Sequence, residues 1–219
     1  VVTGLDHEDR LLPVRLIDGQ TGTGKTALLQ AIAEAGGQVI DLEGLAHHRG
    51  SAFGDFGEQD QPAQRLFESG IWDQLRRFDL TRPVFVEAES ARVGRCRVPR
   101  RLWRSMLAAP RIEVRAPADV RADFLLGAYA DIIEDPARLA EALARLKGLQ
   151  SGETLAAWQE LAAAGSYRRL AEQLMTRHYD PLYARSRKRR EDAPVEVVEL
   201  ESLDEVALAA AARRLLSGH

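Results

Sequence analysis

A single cysteine, Cys96, stands among 219 residues. That scarcity excludes internal disulfides and any multi-cysteine metal site. The chain is nevertheless long enough to bury a sizeable core without staples. No apolar run reaches the roughly 20 residues that cross a bilayer, and the first residues lack the basic and apolar regions of a secretory signal. The expectation is a soluble, cytoplasmic chain with no membrane partner. Lysine is scarce, so the basic side chains are almost all arginine and are unevenly placed along the chain. A net charge of −3 gives the molecule as a whole no attraction for polyanions. Internal repeats and low-complexity tracts are absent as well.

What is present is organised around Gly19-Gln20-Thr21-Gly22-Thr23-Gly24-Lys25-Thr26, which fills every fixed position of the phosphate-loop pattern G-x-x-x-x-G-K-[ST]. Glycines there let consecutive backbone N–H groups converge on one anion. Lys25 reaches the outer phosphates, and Thr26 offers a hydroxyl to Mg²⁺. The setting matches: Val14 to Ile17 reads as a buried strand and Ala27 to Ala33 as a helix. Gly19, Gly22, Thr23, Gly24, Lys25 and Thr26 are the expected phosphate-binding residues.

Further strands are expected at 38–42, 83–86, 111–115 and 195–200. A helical stripe runs through Leu66, Phe67, Ile71, Trp72 and Leu75, and another helix follows Pro117. A capping box at Ser202-Leu203-Asp204-Glu205 opens a last helix. Residues 1–10 read as a lead-in or linker and 11–219 as one phosphate-loop domain, with a helical insertion at about 136–190. The fold class is α/β: a phosphate-loop NTPase-like parallel sheet of the nucleotide-kinase type, with helices on both faces.

Ligands of such sheets bind beyond the carboxyl ends of the strands, where Asp41, Glu43, Glu87 and Glu89 fall. Glu87, directly after an apolar run, is the candidate second Mg²⁺ residue beside Thr26. No organic cofactor is evident. The glycine-rich stretch from Gly44 to Gly54 carries His48, Arg49 and Ser51, side chains suited to anions. Its adjacent histidines, without further ligands, are a weak metal signal. The densest basic cluster runs from Arg92 to Arg104 and a second from Arg185 to Arg190; each reads either as a nucleic-acid contact or as a solvated charged face. Arg95 and Arg97 flank Cys96 and would favour a thiolate, whereas an incidental thiol needs no partner.

From the first strand to about Arg190 the chain resembles the phosphate-loop domain of tRNA 2-selenouridine synthase. The resemblance rests on the phosphate loop; on Asp41-Leu42-Glu43-Gly44-Leu45-Ala46-His47-His48-Arg49-Gly50-Ser51 with Phe53-Gly54; and on Gln64 with Phe67-Glu68. It rests also on Val86-Glu87-Ala88-Glu89-Ser90 with Gly94, and on His178-Tyr179-Asp180-Pro181-Leu182-Tyr183. It implies replacement of sulfur by selenium in the wobble 2-thiouridine of tRNA. Selenophosphate would be the selenium donor, and geranyl diphosphate the source of an intermediate geranyl group.

Under that resemblance Asp41, Glu43, His48, Arg49, Ser51, Glu89, Ser90 and Arg92 bind substrate. Arg95, Arg97, Arg100, Arg101, Arg187, Lys188 and Arg189 bind tRNA. The family's catalytic cysteine belongs to a rhodanese-like domain that this chain has no room for, so that domain is expected in cis on a longer chain or in trans, and its role is not carried onto Cys96. A rival reading is a small-molecule kinase, with ATP and Mg²⁺ on the loop and Asp41 or Glu43 at an acceptor hydroxyl. A non-catalytic RNA-binding module is a third.

Overall fold

A computed structural model describes residues 10–49, 61–188, with side chains through 185, and 196–218. Five parallel strands form the central sheet: β1 (Val14–Gly19), β2 (Gln38–Ile40), β3 (Val84–Glu87), β6 (Arg111–Arg115) and β7 (Glu196–Glu199), in the order β2-β3-β1-β6-β7. A two-stranded antiparallel hairpin, β4 (Arg92–Val93) and β5 (Cys96–Arg97), lies apart from it.

Because side chains alternate across a strand, each central strand feeds two cores. Leu16, Val84 and Val86 join Phe67, Ile71, Leu102 and Met106 on one face. Ile17 and Phe85 join Leu28, Ile32, Leu208 and Leu215 on the other. All nine of the side chains Leu16, Ile17, Val84, Phe85, Val86, Phe67, Ile71, Leu28 and Ile32 are at most 2% exposed, so the sheet is buried on both sides, as an all-parallel sheet requires. β1 is central, with β3 and β6 on opposite sides in matched register, Ile17 facing both Glu87 and Ile112. The phosphate loop therefore leaves the sheet at its middle.

The second half builds a helical arm: Pro136–Ala144, Gly152–Ala163, Tyr167–Leu174, a π-helical turn at Met175–Tyr179, then Asp180–Lys188. It has its own core around the fully buried Trp158, with Leu143, Leu146 and Leu170. Ile132, from the short helix Ala130–Ile133, belongs to that core too. The indole N–H of Trp158 donates to Gln173 Oε1 at 3.1 Å, which removes the cost of burying it.

Three local expectations are corrected. The second strand ends at Ile40, because Asp41 caps a short helix, Leu42–Ala46, by accepting the Gly44 N–H at 2.7 Å. Leu66 is 65% exposed and lies off the buried stripe of Gln64–Leu75. The last helix is capped by Asp204, which accepts the Ala207 N–H at 2.8 Å, while Ser202 donates to the Asp204 carboxylate. The Arg92–Arg104 stretch, read as a basic cluster with a helix start as one alternative, holds the hairpin and then the start of the helix Arg100–Ala108.

Candidate phosphate site at the sheet's carboxyl end

The loop's shape comes from its glycines and from its own hydrogen bonds. Gly22 and Gly24 hold φ of 83° and 75°, left-handed backbone that a side chain would strain. Thr23 is buried, and its hydroxyl donates to Gln20 O at 2.8 Å, so this side chain shapes the loop from inside rather than facing a ligand. Lys25 Nζ donates to Gly19 O at 2.9 Å and Gln20 O at 3.2 Å. Its ammonium thus lies across the mouth of the loop.

Below the loop the charges are paired. Asp18 accepts the Gly19 N–H at 2.8 Å and forms an ion pair with Arg111. Arg121, 3% exposed, donates from Nε to Thr21 O at 2.8 Å and from Nη1 to Gln20 Oε1 at 3.1 Å. It also grips both carboxylate oxygens of Asp180, at 2.6 and 3.2 Å. One buried guanidinium therefore fastens the loop to the helical arm.

Above it they are crowded. Thr26 Oγ1 lies 3.3 Å from Glu43 Oε2 and 3.2 Å from Glu87 Oε2, and Glu87 Oε1 accepts the Glu43 N–H at 3.0 Å. A hydroxyl has one hydrogen, so Thr26 donates to one of these carboxyls, and a second hydrogen bond requires the other to be protonated. Burial, then the Glu89 charge, push Glu43 up to about 8. Burial, then the Glu43 charge, push Glu87 well above the usual range, and burial raises Glu89. Among the described residues no three His, Cys, Asp or Glu side chains form a ready metal-binding group.

Lys25, Thr26, Asp41, Glu43, Arg49 and Glu89 line one cleft of about 450 Å³. Arg49 in that lining is paired with Asp131 at 2.9 Å and lies 4.9 Å over the Tyr129 ring. His48 does not line the cleft; its backbone N–H donates to Glu43 O at 3.0 Å. Ser90 and Arg92 are exposed in a local turn, where the Ser90 hydroxyl accepts the Arg92 N–H at 3.1 Å. Ser51 and Arg189 lie outside the described residues, while Arg187 and Lys188 fall in the last turn of the Asp180–Lys188 helix.

The hairpin exposes Arg92, Arg95 and Arg97, and Arg100 and Arg104 are exposed on the following helix. Two glutamines hold it from outside the strand ladder. Gln61 accepts the Arg95 N–H at 2.8 Å and donates to Ala46 O at 3.0 Å, and Gln64 both accepts from and donates to the Arg97 backbone at 2.8 Å. Arg101 departs from the expected set: it is 7% exposed, and its Nε donates to Arg10 O at 3.0 Å. A guanidinium buried in that way cannot reach a nucleic acid. Cys96 is also buried, with Sγ 3.6 Å from Pro62 O, and burial raises its thiol despite Arg95. Both observations suit the incidental thiol preferred from the sequence over the thiolate that its flanking arginines could favour. Sequence reasoning misses Arg121, Asp180 and Gln61 as parts of the site. The available signals are Asp180 in the His178–Tyr183 motif and Arg121 opening the helix after β6.

Sheet order, loop and acid cluster define a phosphate-loop α/β protein of the nucleotide-kinase type. The chain belongs to the tRNA 2-selenouridine synthase family: the family model described as the tRNA 2-selenouridine synthase AAA domain matches residues 12–154, well over half of it. The tRNA 2-selenouridine synthase of Aeromonas salmonicida is 35% identical over 196 residues, covering 77% of this chain and 52% of that protein. The synthase of Cupriavidus necator is 35% identical over 204 residues, covering 80% and 54%. The chain thus spans about half the length of these relatives. Among solved structures, the Thermus thermophilus protein TT1252 aligns with TM-score 0.46 and 15% identity, over 95% of this chain and 98% of that one. Shikimate kinase from Acinetobacter baumannii aligns with TM-score 0.36 and 15% identity, over 99% and 96%. At such scores the likeness carries no argument, and the fold class stands on the strand order and the loop. No helix among the described residues is long and apolar enough to cross a membrane.

Proposed function

We propose that this chain is the part of a tRNA 2-selenouridine synthase that holds tRNA together with a phosphate-bearing substrate, geranyl diphosphate or selenophosphate. In this reading sulfur in wobble 2-thiouridine is replaced by selenium, with the rhodanese-like domain acting in cis or in trans. The observation that carries the reading is the joining, in one cleft, of a phosphate loop with Lys25, Arg49 and an acid cluster, in a chain of this family. Loop N–H groups and two cations suit a diphosphate leaving group. When the 2-thio sulfur attacks the first carbon of the prenyl chain, the carbon–oxygen bond breaks and the diphosphate departs with the electron pair. Lys25 and Arg49 are placed to neutralise that developing charge.

The donor set also fits Mg²⁺. Crowded, buried carboxyls beside a threonine hydroxyl are relieved by a cation, and Mg²⁺ needs only one or two protein ligands beside phosphate and water. Thr26 and Glu87 would hold it, with Glu43 adjacent, and it would supply charge neutralisation to the phosphates. Arg92, Arg95, Arg97, Arg100 and Arg104 form an exposed basic face suited to the tRNA backbone.

The test is direct binding of inorganic pyrophosphate, selenophosphate, ATP and 2-thiouridine tRNA to the chain, with and without Mg²⁺. Lys25→Ala is expected to weaken pyrophosphate binding at least tenfold. Arg95→Ala with Arg97→Ala should lower the salt slope of tRNA binding by about 1 for each phosphate no longer neutralised. Tight ATP binding and turnover with no affinity for tRNA would overturn the reading in favour of a kinase.

A further inference from the structure

The two cations that line the cleft are held by different parts of the molecule. Lys25 is carried by the phosphate loop and donates to that loop's own carbonyls, at 2.9 and 3.2 Å. Arg49 follows the short helix Leu42–Ala46, and its side chain is only 16% exposed. Two of the contacts that hold its guanidinium come from the segment leading into the helical arm. Nη2 donates to Asp131 Oδ1 at 2.9 Å, and the guanidinium carbon lies 4.9 Å over the Tyr129 ring. The ring seats the group and the carboxylate aims it.

Asp131 is held in turn. Arg138 Nη2 donates to its second carboxylate oxygen at 3.3 Å, and Arg138 Nη1 to its main-chain carbonyl at 3.2 Å. Both carboxylate oxygens therefore accept from an arginine, and of the three residues in this row only Arg49 lines the cleft. Asp131 stands beside Ile132 and Arg138 beside Leu139, and both of those neighbours are buried in the arm's own core. Asp135 caps the helix Pro136–Ala144 by accepting the Ala137 and Arg138 N–H groups at 3.0 and 3.2 Å, which fixes the turn from which Arg138 projects. The row thus runs from the arm's core through Arg138 and Asp131 to Arg49.

As a stability device this row is weak, because Asp131 and Arg138 are 39% and 32% exposed at their side chains. It suits another task. A long side chain that grips an anion loses rotamer freedom, and the loss no longer falls on binding when a ring and a carboxylate already hold the side chain in place.

We propose that Asp131, backed by Arg138, is a positioning residue of the anion site, which meets no ligand itself and acts by presetting Arg49 for the phosphate-bearing substrate. This rests on the reading of the cleft given above, in which Arg49 faces that substrate. Competition between Asp131 and the ligand for Arg49 would have the opposite sign.

A double-mutant cycle tests this, with calorimetric binding of inorganic pyrophosphate to the 219-residue chain in the presence of Mg²⁺. Arg49→Gln removes charge-assisted hydrogen bonds and is expected to weaken binding roughly tenfold. Asp131→Asn should weaken it about fivefold and Arg138→Gln about threefold. In the Arg49→Gln background neither should have any further effect. A general loosening of the site would weaken binding whether or not the arginine is present. If Asp131→Asn does not fold, Arg138→Gln in the two backgrounds decides the matter. Tighter binding by Asp131→Asn, unchanged binding, or equal losses in both backgrounds would overturn the positioning role. If Lys25→Ala weakens binding and Arg49→Gln does not, the loop reading stands and the positioning role falls. Failure of the unmodified chain to bind pyrophosphate would sink both together.

Discussion

The two ends of the site are stabilised in opposite ways. At the loop, Thr26 sits between carboxyls that burial and mutual repulsion push toward the protonated form, and Lys25 donates to the loop's own carbonyls. In the helical arm, Trp158, Leu143 and Leu146 are at most 1% exposed, and the one buried polar group of that tryptophan is satisfied. The arm is ordinary packing. The acid cluster is held in place by the sheet beneath it and gains nothing from its own electrostatics. Truncating the arm should therefore cost stability, whereas neutralising the acid cluster should add it.

The largest expected effect is Trp158→Ala, at about 4 kcal/mol from reduced burial and the cavity left behind. Urea denaturation would measure it. Hydrogen exchange should place the loss in residues 130–180, and an equal loss of protection in β1 and β3 would show that arm and sheet unfold as one unit. Asp180→Asn comes next, at about 3 kcal/mol, because it removes the carboxylate charge paired with buried Arg121 and leaves it neutral acceptors: Thr21 O, Gln20 and one amide oxygen. If arm and loop are coupled as the geometry indicates, this variant should also weaken pyrophosphate binding, although residue 180 does not line the cleft. Gln61→Ala should cost about 2 kcal/mol by removing hydrogen bonds that hold the hairpin. Its tRNA affinity should fall while pyrophosphate affinity holds.

How much of this can be read from residues alone follows the same divide. The phosphate loop is one contiguous run, and Glu43, Glu87 and Glu89 stand at or just beyond strand ends, so a local pattern suffices to place them. Arg121 and Asp180 are 59 residues apart, and nothing short of the packed fold says that they meet. The hairpin is illegible in the sequence because its strands have two residues each and its alignment is supplied by Gln61 and Gln64, not by alternation. Leu66 misleads because helical spacing counts apolar residues without saying which way the helix turns. The Ser202 cap fails for a subtler reason. Two acceptors lie two residues apart, and the hydroxyl spends its hydrogen on the carboxylate that does the capping.

The smallest effect is the most discriminating, because its sign is unusual. Glu43 titrates at about 8 in the fold against 4.5 in the unfolded chain, so between those values the native state binds more protons than the unfolded one. Stability must then fall as pH rises from about 4.5 to 8. Glu43→Gln removes the proton uptake, and at about pH 8 without ligand it should stabilise the chain by about 1 kcal/mol, discounted because Glu43 is only partly shielded from water. At about pH 4.5 the same substitution should be nearly neutral. Mg²⁺ offers the sharper arm of the comparison. If the acid cluster is a cation site, millimolar Mg²⁺ should cancel the alkaline loss of stability in the unmodified chain and do little for Glu43→Gln. A loss of stability near pH 8 equal in both chains, with or without Mg²⁺, would mean that the crowding at Thr26 is relieved by some other group and that the two ends of the site are not opposites after all.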